Sequence, residues 1–270
     1  AYVEEVDAWH AGRIERLQRP GSWLTLVGLF SLPEGTSSFG TDRDAGLRLE
    51  GEGPAHIGDL VVTGTTARFV AAETVTHEGN PVDEIDLEPD NSGSPTVLEA
   101  GPISFYLILR HGRPYLRVKD SSVPLLQEFD GIDRWSVSED WRVVARWVEY
   151  ETPQKRMFPD VLGVPEEAEV TGEARFSIDG KEYALYPNSV GDDWMYWVFG
   201  DATNGVTTYG GGRFLYSGLP DADGRLVLDF NRSYNPPCVF TPYATCPLPA
   251  DDNVLDVEIT AGEMMWGEKH

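Results

Sequence analysis

The chain has 270 residues, of which 45 are acidic and 21 are basic, so its formal net charge is −24. A chain with this charge and no basic stripe cannot neutralise phosphates, which excludes nucleic acid as an expected partner. No run reaches the ~20 apolar residues of a transmembrane helix, because the longest candidate, Trp23 to Phe30, is interrupted by Thr25 and Gly28. We therefore predict a protein that binds neither nucleic acid nor membrane.

The acidic residues are spread along the chain, and only four of the 21 basic residues are lysines. Such a surface is typical of organisms with a saline cytoplasm, where concentrated salt screens the self-repulsion of the chain. We favour this halophilic interpretation over an ordinary acidic protein with calcium sites. The first five residues lack the basic start and apolar run of a signal peptide. Unless a leader has been removed, we predict a cytoplasmic location.

Residues 2–17 are predicted to form an amphipathic helix, with glutamates in its first turn and Pro20-Gly21 after its end. One stripe recurs at helical spacing and is expected to pack against the body of the protein rather than to bind a partner. This stripe consists of Val6, Trp9, Arg13 and Leu17.

From Leu26 to Asp120, short apolar segments alternate with turn signals such as Gly40-Thr41-Asp42 and His111-Gly112-Arg113. This spacing predicts a β-sandwich-like part over residues 21–120.

The order of elements in this part resembles a forkhead-associated domain. The similar segments are Glu34 to Thr41 (opening strand and turn), Leu47 to Leu49 (next strand), Pro54 to Gly58 (loop with a histidine) and Glu78 to Val82 (glycine–asparagine turn). Phosphothreonine-binding members of that fold need an arginine and a serine where this chain has Thr41 and, before His56, only Pro54 and Ala55. The resemblance thus implies the scaffold without that activity, and His56 is predicted to be a structural turn residue.

Residues 121–270 are predicted to form a larger antiparallel β-domain. Trp141 to Glu151 alternates like a long strand, Gln154 to Gly163 is expected to be irregular, and Asp192 to Phe199 is predicted to be a strand rich in large rings. Turns are expected at Asp179-Gly180 and Asn204-Gly205.

The last predicted hairpin pairs Phe214–Tyr216 with Leu226–Phe230 around the turn at residues 220–224. The following residues, 233–249, contain five prolines, which forbid helix and central strand alike. Because Tyr234, Phe240 and Tyr243 lie in the same segment, we predict an ordered proline-rich strap with its rings packed on a sheet. The whole chain is therefore predicted to be mainly β: an N-terminal helix (1–20), a β-sandwich-like part (21–120) and an antiparallel domain closed by the strap (121–270).

Two C-terminal runs resemble the signature of a prokaryotic family of unknown function, DUF1684. They are Leu228 to Cys238 (LDFNRSYNPPC) and Phe240 to Pro249 (FTPYATCPLP). The likeness extends to Trp23–Leu29, Arg117–Asp120 and Trp141–Val143, and with the acidic composition it suggests a halophilic archaeal member. No activity follows from this resemblance.

Polar side chains concentrate at the open end of the predicted hairpin. If its strands pair, Arg213 and Asn231 come close together, with Asp229, Tyr234 and Asn235 nearby. An arginine beside such groups can grip a carboxylate or position a hydroxyl. The alternative is a buried ion pair, with asparagine capping the free backbone groups of the strap. Three further residues are predicted to line the same pocket: Trp194, Thr208 and Tyr209.

Cys238 and Cys246 are open to three interpretations: buried structural thiols, a disulfide across the strap, or a nucleophile at Cys238. We favour structural thiols, since a cytosol is reducing. Two cysteines are too few to bind zinc, so no metal is predicted. The run Gly210-Gly211-Gly212 is expected to be a bulge or tight turn, because no Gly-Lys-Ser/Thr follows.

Our first functional hypothesis is small-molecule binding in a pocket of the second domain, anchored by Arg213, because aromatic and polar groups concentrate there without an acid–base pair. The second is a hydrolase or lyase with Asp229 as base, Arg213 as anion anchor and Tyr234 or Cys238 as acid or nucleophile. The third is a forkhead-associated-like scaffold for a protein partner. The sequence specifies no cofactor, substrate or oligomeric state.

Overall fold

A computed structural model describes residues 1–267 of the chain. The predicted fold class is confirmed: the protein is mainly β, with an N-terminal helix and large sheets. Helix α1 (Tyr2–Leu17) has the predicted bounds and buries Val6 and Leu17, and a short helix α2 spans Pro124–Glu128. Among the described residues, no helix combines the length and the apolar character needed to cross a membrane.

The chain divides into two compact units. Residues 16–129 form the middle unit, and residues 1–15 form the terminal unit together with residues 130–267. The last three residues of the predicted 121–270 domain lie outside the described part.

The middle unit contains one nine-stranded sheet with the order β1-β9-β8-β7-β5-β4-β2-β3, in which β6 pairs with β5 beside this path. The strands are β1 (Leu26–Ser31), β2 (Gly35–Gly40), β3 (Leu47–Arg48), β4 (Gly58–Thr63), β5 (Thr66–His77), β6 (Asn80–Leu87), β7 (Leu98–Ala100), β8 (Ile103–Arg110) and β9 (Arg113–Asp120).

The core of the middle unit forms because the strands alternate apolar and polar residues, as Leu60 and Val62 do in β4. At its centre Phe105 meets both Phe39 and Phe69 edge to face, with ring centroids 5.1 Å apart in each pair. The exposed His56 lies 3.0 Å from Asp59 Oδ1, a contact local to its loop. The resemblance to a forkhead-associated domain stays a prediction.

The terminal unit contains two smaller sheets, one with the order β12-β11-β10-β16 and one with the order β13-β14-β15. Their strands are β10 (Arg142–Phe158), β11 (Glu166–Ile178), β12 (Lys181–Leu185), β13 (Ser189–Val190), β14 (Met195–Phe199), β15 (Arg213–Ser217) and β16 (Arg225–Asp229). Large rings fill the core of this unit, where Phe230 packs 5.4 Å from Phe199 and 5.9 Å from Phe176, measured between ring centroids.

The predicted pairing of Phe214–Tyr216 with Leu226–Phe230 is wrong. Strand β15 pairs instead with β14, and β16 pairs with β10, so the two segments belong to different sheets. The turn between them is real, because Asp221 accepts hydrogen bonds from the backbone of Asp223 and Arg225. A turn brings two strands near each other, but long-range partners decide which sheet each strand joins.

The prediction of an irregular segment from Gln154 to Gly163 is also wrong in its first half. Strand β10 continues to Phe158, and its pairing with β11 shifts register between Glu149 and Gln154. The shift contains Pro153, which cannot donate to the ladder and is tolerated at an irregularity of this kind. The predicted ring-rich strand begins three residues later than expected, at Met195, because the chain turns between Gly191 and Trp194.

Candidate functional site

Arg213 lies at the start of β15 with its side chain wholly buried. Its Nη2 donates to Asp201 Oδ2 at 2.7 Å and to the carbonyl oxygen of Ile259 at 2.9 Å, and its Nη1 donates to the carbonyl oxygen of Ala261. Burial lowers the pKa of Arg213, and the Asp201 carboxylate opposes that shift. This arrangement matches the buried ion pair that we considered as the alternative to a ligand anchor.

The loop before Arg213 is fixed by the other oxygen of Asp201. Asp201 Oδ1 accepts from Thr203 Oγ1 at 2.6 Å, and Thr203 Oγ1 lies 2.8 Å from Thr208 Oγ1. The amide of Asn204 donates to the carbonyl oxygen of Tyr209 at 2.8 Å. Thr208 and Tyr209 therefore belong to this network, which we call the Asp201 network.

The glycine run ends in a turn at Gly212, where φ is +84°. A Cβ atom at Gly212 would lie 2.4 Å from Pro249 Cγ and 2.6 Å from the carbonyl oxygen of Phe199. Glycine is required here by both the left-handed backbone and the close approach of the strap. Gly212 therefore serves the packing of the strap.

Asp229, at the end of β16, lies in a second network with Tyr2 and Asn231. The Tyr2 hydroxyl donates to Asp229 Oδ1 at 2.7 Å, and Asn231 Nδ2 donates to the same oxygen at 3.1 Å. Asn231 also binds the backbone of Ser138 from both ends, accepting from its N–H at 3.0 Å and donating to its carbonyl at 2.8 Å. Burial and the hydrogen bond to the Asp229 carboxylate both raise the pKa of the Tyr2 phenol.

Two members of this second network, Tyr2 and Asp229, line a cleft of about 530 Å³, which we call the Asp229 cleft. Its charged groups are of both signs. Arg232 Nε lies 3.3 Å from Asp229 Oδ2, and an Nη of Arg232 donates to Glu5. The cleft is lined by Ala1, Tyr2, Glu5, Glu139, Arg142, Tyr216, Ser217, Gly218, Val227, Asp229 and Arg232.

Arg142 differs from Arg232. Its side chain is exposed, and within residues 1–267 it forms no ion pair and no side-chain hydrogen bond. The guanidinium carbon lies 5.7 Å from the ring centroid of Tyr2, so the positive charge lies over one of the rings that line the cleft. A guanidinium in this position can bind a carboxylate from solution by donating hydrogen bonds to it.

Tyr234 and Asn235 lie in a third network, around the wholly buried Glu263. Arg13 holds that carboxylate with both Nε (2.5 Å) and Nη2 (3.1 Å), and the Asn235 N–H donates to Glu263 Oε2 at 2.7 Å. The guanidinium carbon of Arg13 lies 4.5 Å from the ring centroid of Tyr234. Burial is the main cause of the raised pKa of Tyr234.

Aromatic rings lie next to the Asp229 cleft. Tyr216, one of its lining residues, is half exposed and meets Trp194 edge to face at 5.6 Å between ring centroids. On another side, the ring of Tyr216 lies almost parallel to that of Tyr234, at 6.4 Å. Trp194 is 38% exposed and therefore extends this aromatic surface outward.

The predicted constellation thus divides among three networks. Asp229 lines the Asp229 cleft and is hydrogen-bonded to Asn231, and Trp194 packs against Tyr216, another lining residue. Arg213, Thr208 and Tyr209 lie in the Asp201 network, and Tyr234 and Asn235 lie around Glu263. Among the described residues, Arg213 forms no hydrogen bond or ion pair with Asp229. Every one of these groups belongs to the terminal unit.

Sequence reasoning missed the roles of Tyr2, Arg142, Arg13 and Glu263. One signal was available: Arg13 lies on the apolar stripe of α1, and a buried arginine needs an acidic partner. No comparable signal pointed to Glu263, which is 250 residues away in sequence.

The two cysteines lie together in the strap. The backbone N–H of Cys238 donates to Cys246 Sγ at 3.2 Å, and the Cys246 side chain is buried. Within residues 1–267, no group of three or more histidine, cysteine, aspartate or glutamate side chains is placed to hold a metal ion.

Comparison with known proteins places this geometry in a family context. The solution NMR structure of an uncharacterized protein from Haloarcula marismortui is 30% identical in sequence, over 51% of this chain and 78% of that chain, with a TM-score of 0.41. No curated protein matches the chain. Residues 127–264 match the family described as "Protein of unknown function (DUF1684)". The chain therefore belongs to the DUF1684 family.

Proposed function

We propose that the protein binds a small molecule bearing a carboxylate in the Asp229 cleft, with Arg142 as the anchor. The observation that carries this proposal is the exposed guanidinium of Arg142, which has no ion-pair partner within residues 1–267 although the cleft also contains carboxylates. In a chain of net charge −24, the overall field repels anions. A local, unneutralised arginine is therefore the feature that an anionic ligand needs.

Hydrogen bonds behind the lining residue Tyr2 support binding, because they hold its side chain in place before a ligand arrives. Tyr2, Asn231 and the Ser138 backbone hold one another through hydrogen bonds of 2.8 to 3.0 Å. Groups fixed in this way lose little conformational freedom when a ligand arrives. The volume of about 530 Å³ lies within the range of small-molecule sites, roughly 300–1,000 Å³.

The wall of the cleft indicates a ligand with a flat or ring-shaped part. Tyr216 contributes a half-exposed ring, and Gly218 adds backbone without a side chain. A planar ligand stacked on Tyr216 would bury apolar surface while its carboxylate reaches Arg142.

The hydrolase or lyase alternative stays a hypothesis that requires Asp229 and Arg213 to act together. Arg213 donates to Asp201 and to two carbonyl groups in the core, while Asp229 already accepts from Tyr2 and Asn231. The geometry therefore favours the binding hypothesis over the enzymatic one.

The test uses benzoate as the probe and benzyl alcohol as its uncharged counterpart, followed by backbone amide chemical shifts of the full chain. We expect benzoate, but not benzyl alcohol, to shift the signals of Tyr2, Tyr216 and Asp229 in a saturable way. Arg142→Gln should weaken benzoate binding by about tenfold or more, because a hydrogen bond to a charged group is lost.

Arg146→Gln is the matched control, since Arg146 is another exposed arginine of β10 that does not line the cleft. It changes the net charge equally and should leave benzoate binding unchanged. If both variants lost benzoate affinity equally, the benzoate would be sensing only the net charge of the protein, which would overturn the proposal. An absence of chemical shift changes around the cleft in the wild type would overturn it as well.

A further inference from the structure

A second cleft of the terminal unit, of about 630 Å³, adjoins the Glu263 network. We call it the His10 cleft. Its lining comprises His10 and Ile14 from α1, residues 130–133, and residues 265–267. It shares no lining residue with the Asp229 cleft, so a ligand of the His10 cleft is independent of the proposed function.

The imidazole of His10 is held against a buried carboxylate. Its Nε2 is buried and lies 3.6 Å from Glu263 Oε1, too far for a hydrogen bond but close enough for the charge to act on it. Glu263 is already compensated by Arg13 and by the Asn235 N–H. His10 therefore need not be protonated to satisfy that carboxylate.

Burial and the neighbouring guanidinium groups of Arg134 and Arg13 lower the pKa of His10, against the opposing effects of Glu263 and Asp7. The imidazole is then neutral near neutral pH, with one proton on its two nitrogens. The nitrogen facing the carboxylate is the favourable place for that proton, because a lone pair on Nε2 would point at the negative oxygen. Nδ1 is left as a hydrogen-bond acceptor.

Nδ1 makes no hydrogen bond within residues 1–267, and His10 lines the cleft. A ligand that binds His10 through Nδ1 would therefore have to bring a hydrogen-bond donor. Two exposed carboxylates on the lining, Asp130 and Asp133, form no ion pair in the described part of the chain. They favour a donor that is also positively charged, and the indole of Trp266 adds an aromatic surface suited to a cation.

We propose that the His10 cleft binds a small cationic molecule through an ammonium group, which donates to His10 Nδ1 and pairs with Asp133. Glu263 acts through His10 as a positioning residue that fixes the tautomer. The volume of the cleft is within the range of small-ligand sites, roughly 300–1,000 Å³.

The experiment titrates the full chain with 1,4-diaminobutane, with succinate as an anion of the same carbon length. The readouts are the dissociation constant and the ¹⁵N chemical shifts of the His10 ring. We expect saturable diamine binding that moves the Nδ1 signal and leaves the proton on Nε2, and no such change with succinate. Binding should weaken as pH falls through the pKa of His10, because an imidazolium repels an ammonium ion.

His10→Phe keeps a ring in place and removes the acceptor, and it should weaken diamine binding by about tenfold or more and abolish the pH step. Asp133→Asn should also weaken diamine binding. Because Asp133 is exposed, this variant should fold, so it tests the proposal even if His10→Phe does not fold. Asp44→Asn makes the same charge change at an exposed aspartate of the middle unit that does not line the cleft, and it should have no effect.

Three outcomes would overturn the proposal: an unmoved His10 signal at saturating diamine, equal affinity for the wild type and Asp133→Asn, or equal losses in Asp133→Asn and Asp44→Asn. The last outcome would show that the diamine senses only the net charge. Benzoate binding in the Asp229 cleft is measured separately, so failure of either proposal leaves the other testable.

Discussion

Arg213 and Asp201 form an ion pair in which both side chains are wholly buried. The pair can contribute to the free energy of unfolding only when both partners are present. Replacing Arg213 with leucine leaves the Asp201 carboxylate without its cation in a dry interior. Removing one partner of a buried pair costs about 3–5 kcal/mol. We expect Arg213→Leu to lower the free energy of unfolding by roughly that amount, measured by guanidinium chloride denaturation monitored by tryptophan fluorescence.

The matched control is Arg225→Leu, because Arg225 pairs with two aspartates at the surface. Exposed pairs contribute little to stability, so this variant should unfold close to the wild-type midpoint. If Arg213→Leu behaved like Arg225→Leu, the Asp201 network would not be a stabilising element. Arg213 would then be open again to a functional interpretation.

Lys119 offers a second prediction for a single residue. Burial, and then the charge of Arg117, lower the pKa of its ammonium group to about 8. Its Nζ donates to the carbonyl oxygen of Gly21 and lies 5.5 Å from the ring centroid of Trp23. Competitive trace labelling with acetic anhydride over a pH series should give a midpoint near pH 8 for Lys119. The exposed Lys155 and Lys181, whose pKa values are raised by carboxylates, should titrate well above it.

The sign of this shift also sets a pH dependence. The folded state binds fewer protons at Lys119 than the unfolded chain does between pH 8 and the ordinary value of 10.5. Stability from this residue therefore rises with pH across that window, and it is lost as pH falls through about 8. Lys119→Met should remove this contribution, and an unchanged pH profile in that variant would show that Lys119 is not its source.

At the scale of elements, the long β10–β11 pair depends on a close approach at Gly172. A Cβ atom there would lie 2.5 Å from Trp147 Cζ2 and 2.6 Å from the carbonyl oxygen of Val148. We expect Gly172→Ala to destabilise the protein by about 1–3 kcal/mol through overpacking, measured by chemical denaturation. Gly218→Ala is the control, since nothing lies within 4 Å of its Cβ position. Equal unfolding midpoints for the two variants would contradict the prediction.

The same elements show what the sequence could predict. Helix α1 and the alternating strands follow from local periodicity, and their signals lie within a few residues. Pairing does not: β15 and β16 are separated by a short turn, yet their partners are β14 and β10. The residues predicted for one site lie in three networks for the same reason. Arg213 donates to carbonyl groups more than 40 residues away, and Asp229 accepts from Tyr2 at the other end of the chain.

The contacts of Asn231 show how far prediction from the sequence reaches for a single side chain. Its proximity to Asp229 was predictable, since the two positions are only two apart along the chain. Its contacts with Tyr2 and with Ser138, 93 residues away, were not. Residue types indicated that this region is rich in polar contacts, but its division into three networks required the tertiary structure.

At the scale of the whole molecule, the net charge of −24 makes stability depend on salt. The Debye length falls from about 10 Å at 0.1 M to about 3 Å at 1 M, so added KCl removes most of the repulsion between exposed carboxylates. We expect the thermal unfolding midpoint to rise steeply up to ~1 M KCl and then to flatten. NaCl should act like KCl, because screening depends on ionic strength rather than on the cation.

Charge repulsion as the origin of the salt dependence can be tested at three exposed aspartates that form no ion pair in the described part of the chain. These are Asp44, Asp192 and Asp193. Replacing all three with asparagine lowers the net negative charge by three and should flatten the salt dependence while raising the midpoint at low salt. A rise that continued linearly to several molar salt, with the same slope in wild type and variant, would instead indicate exclusion of salt from the protein surface. In that case the acidic residues would not be the source of the salt dependence. The halophilic interpretation of the acidic composition would then lose its physical basis.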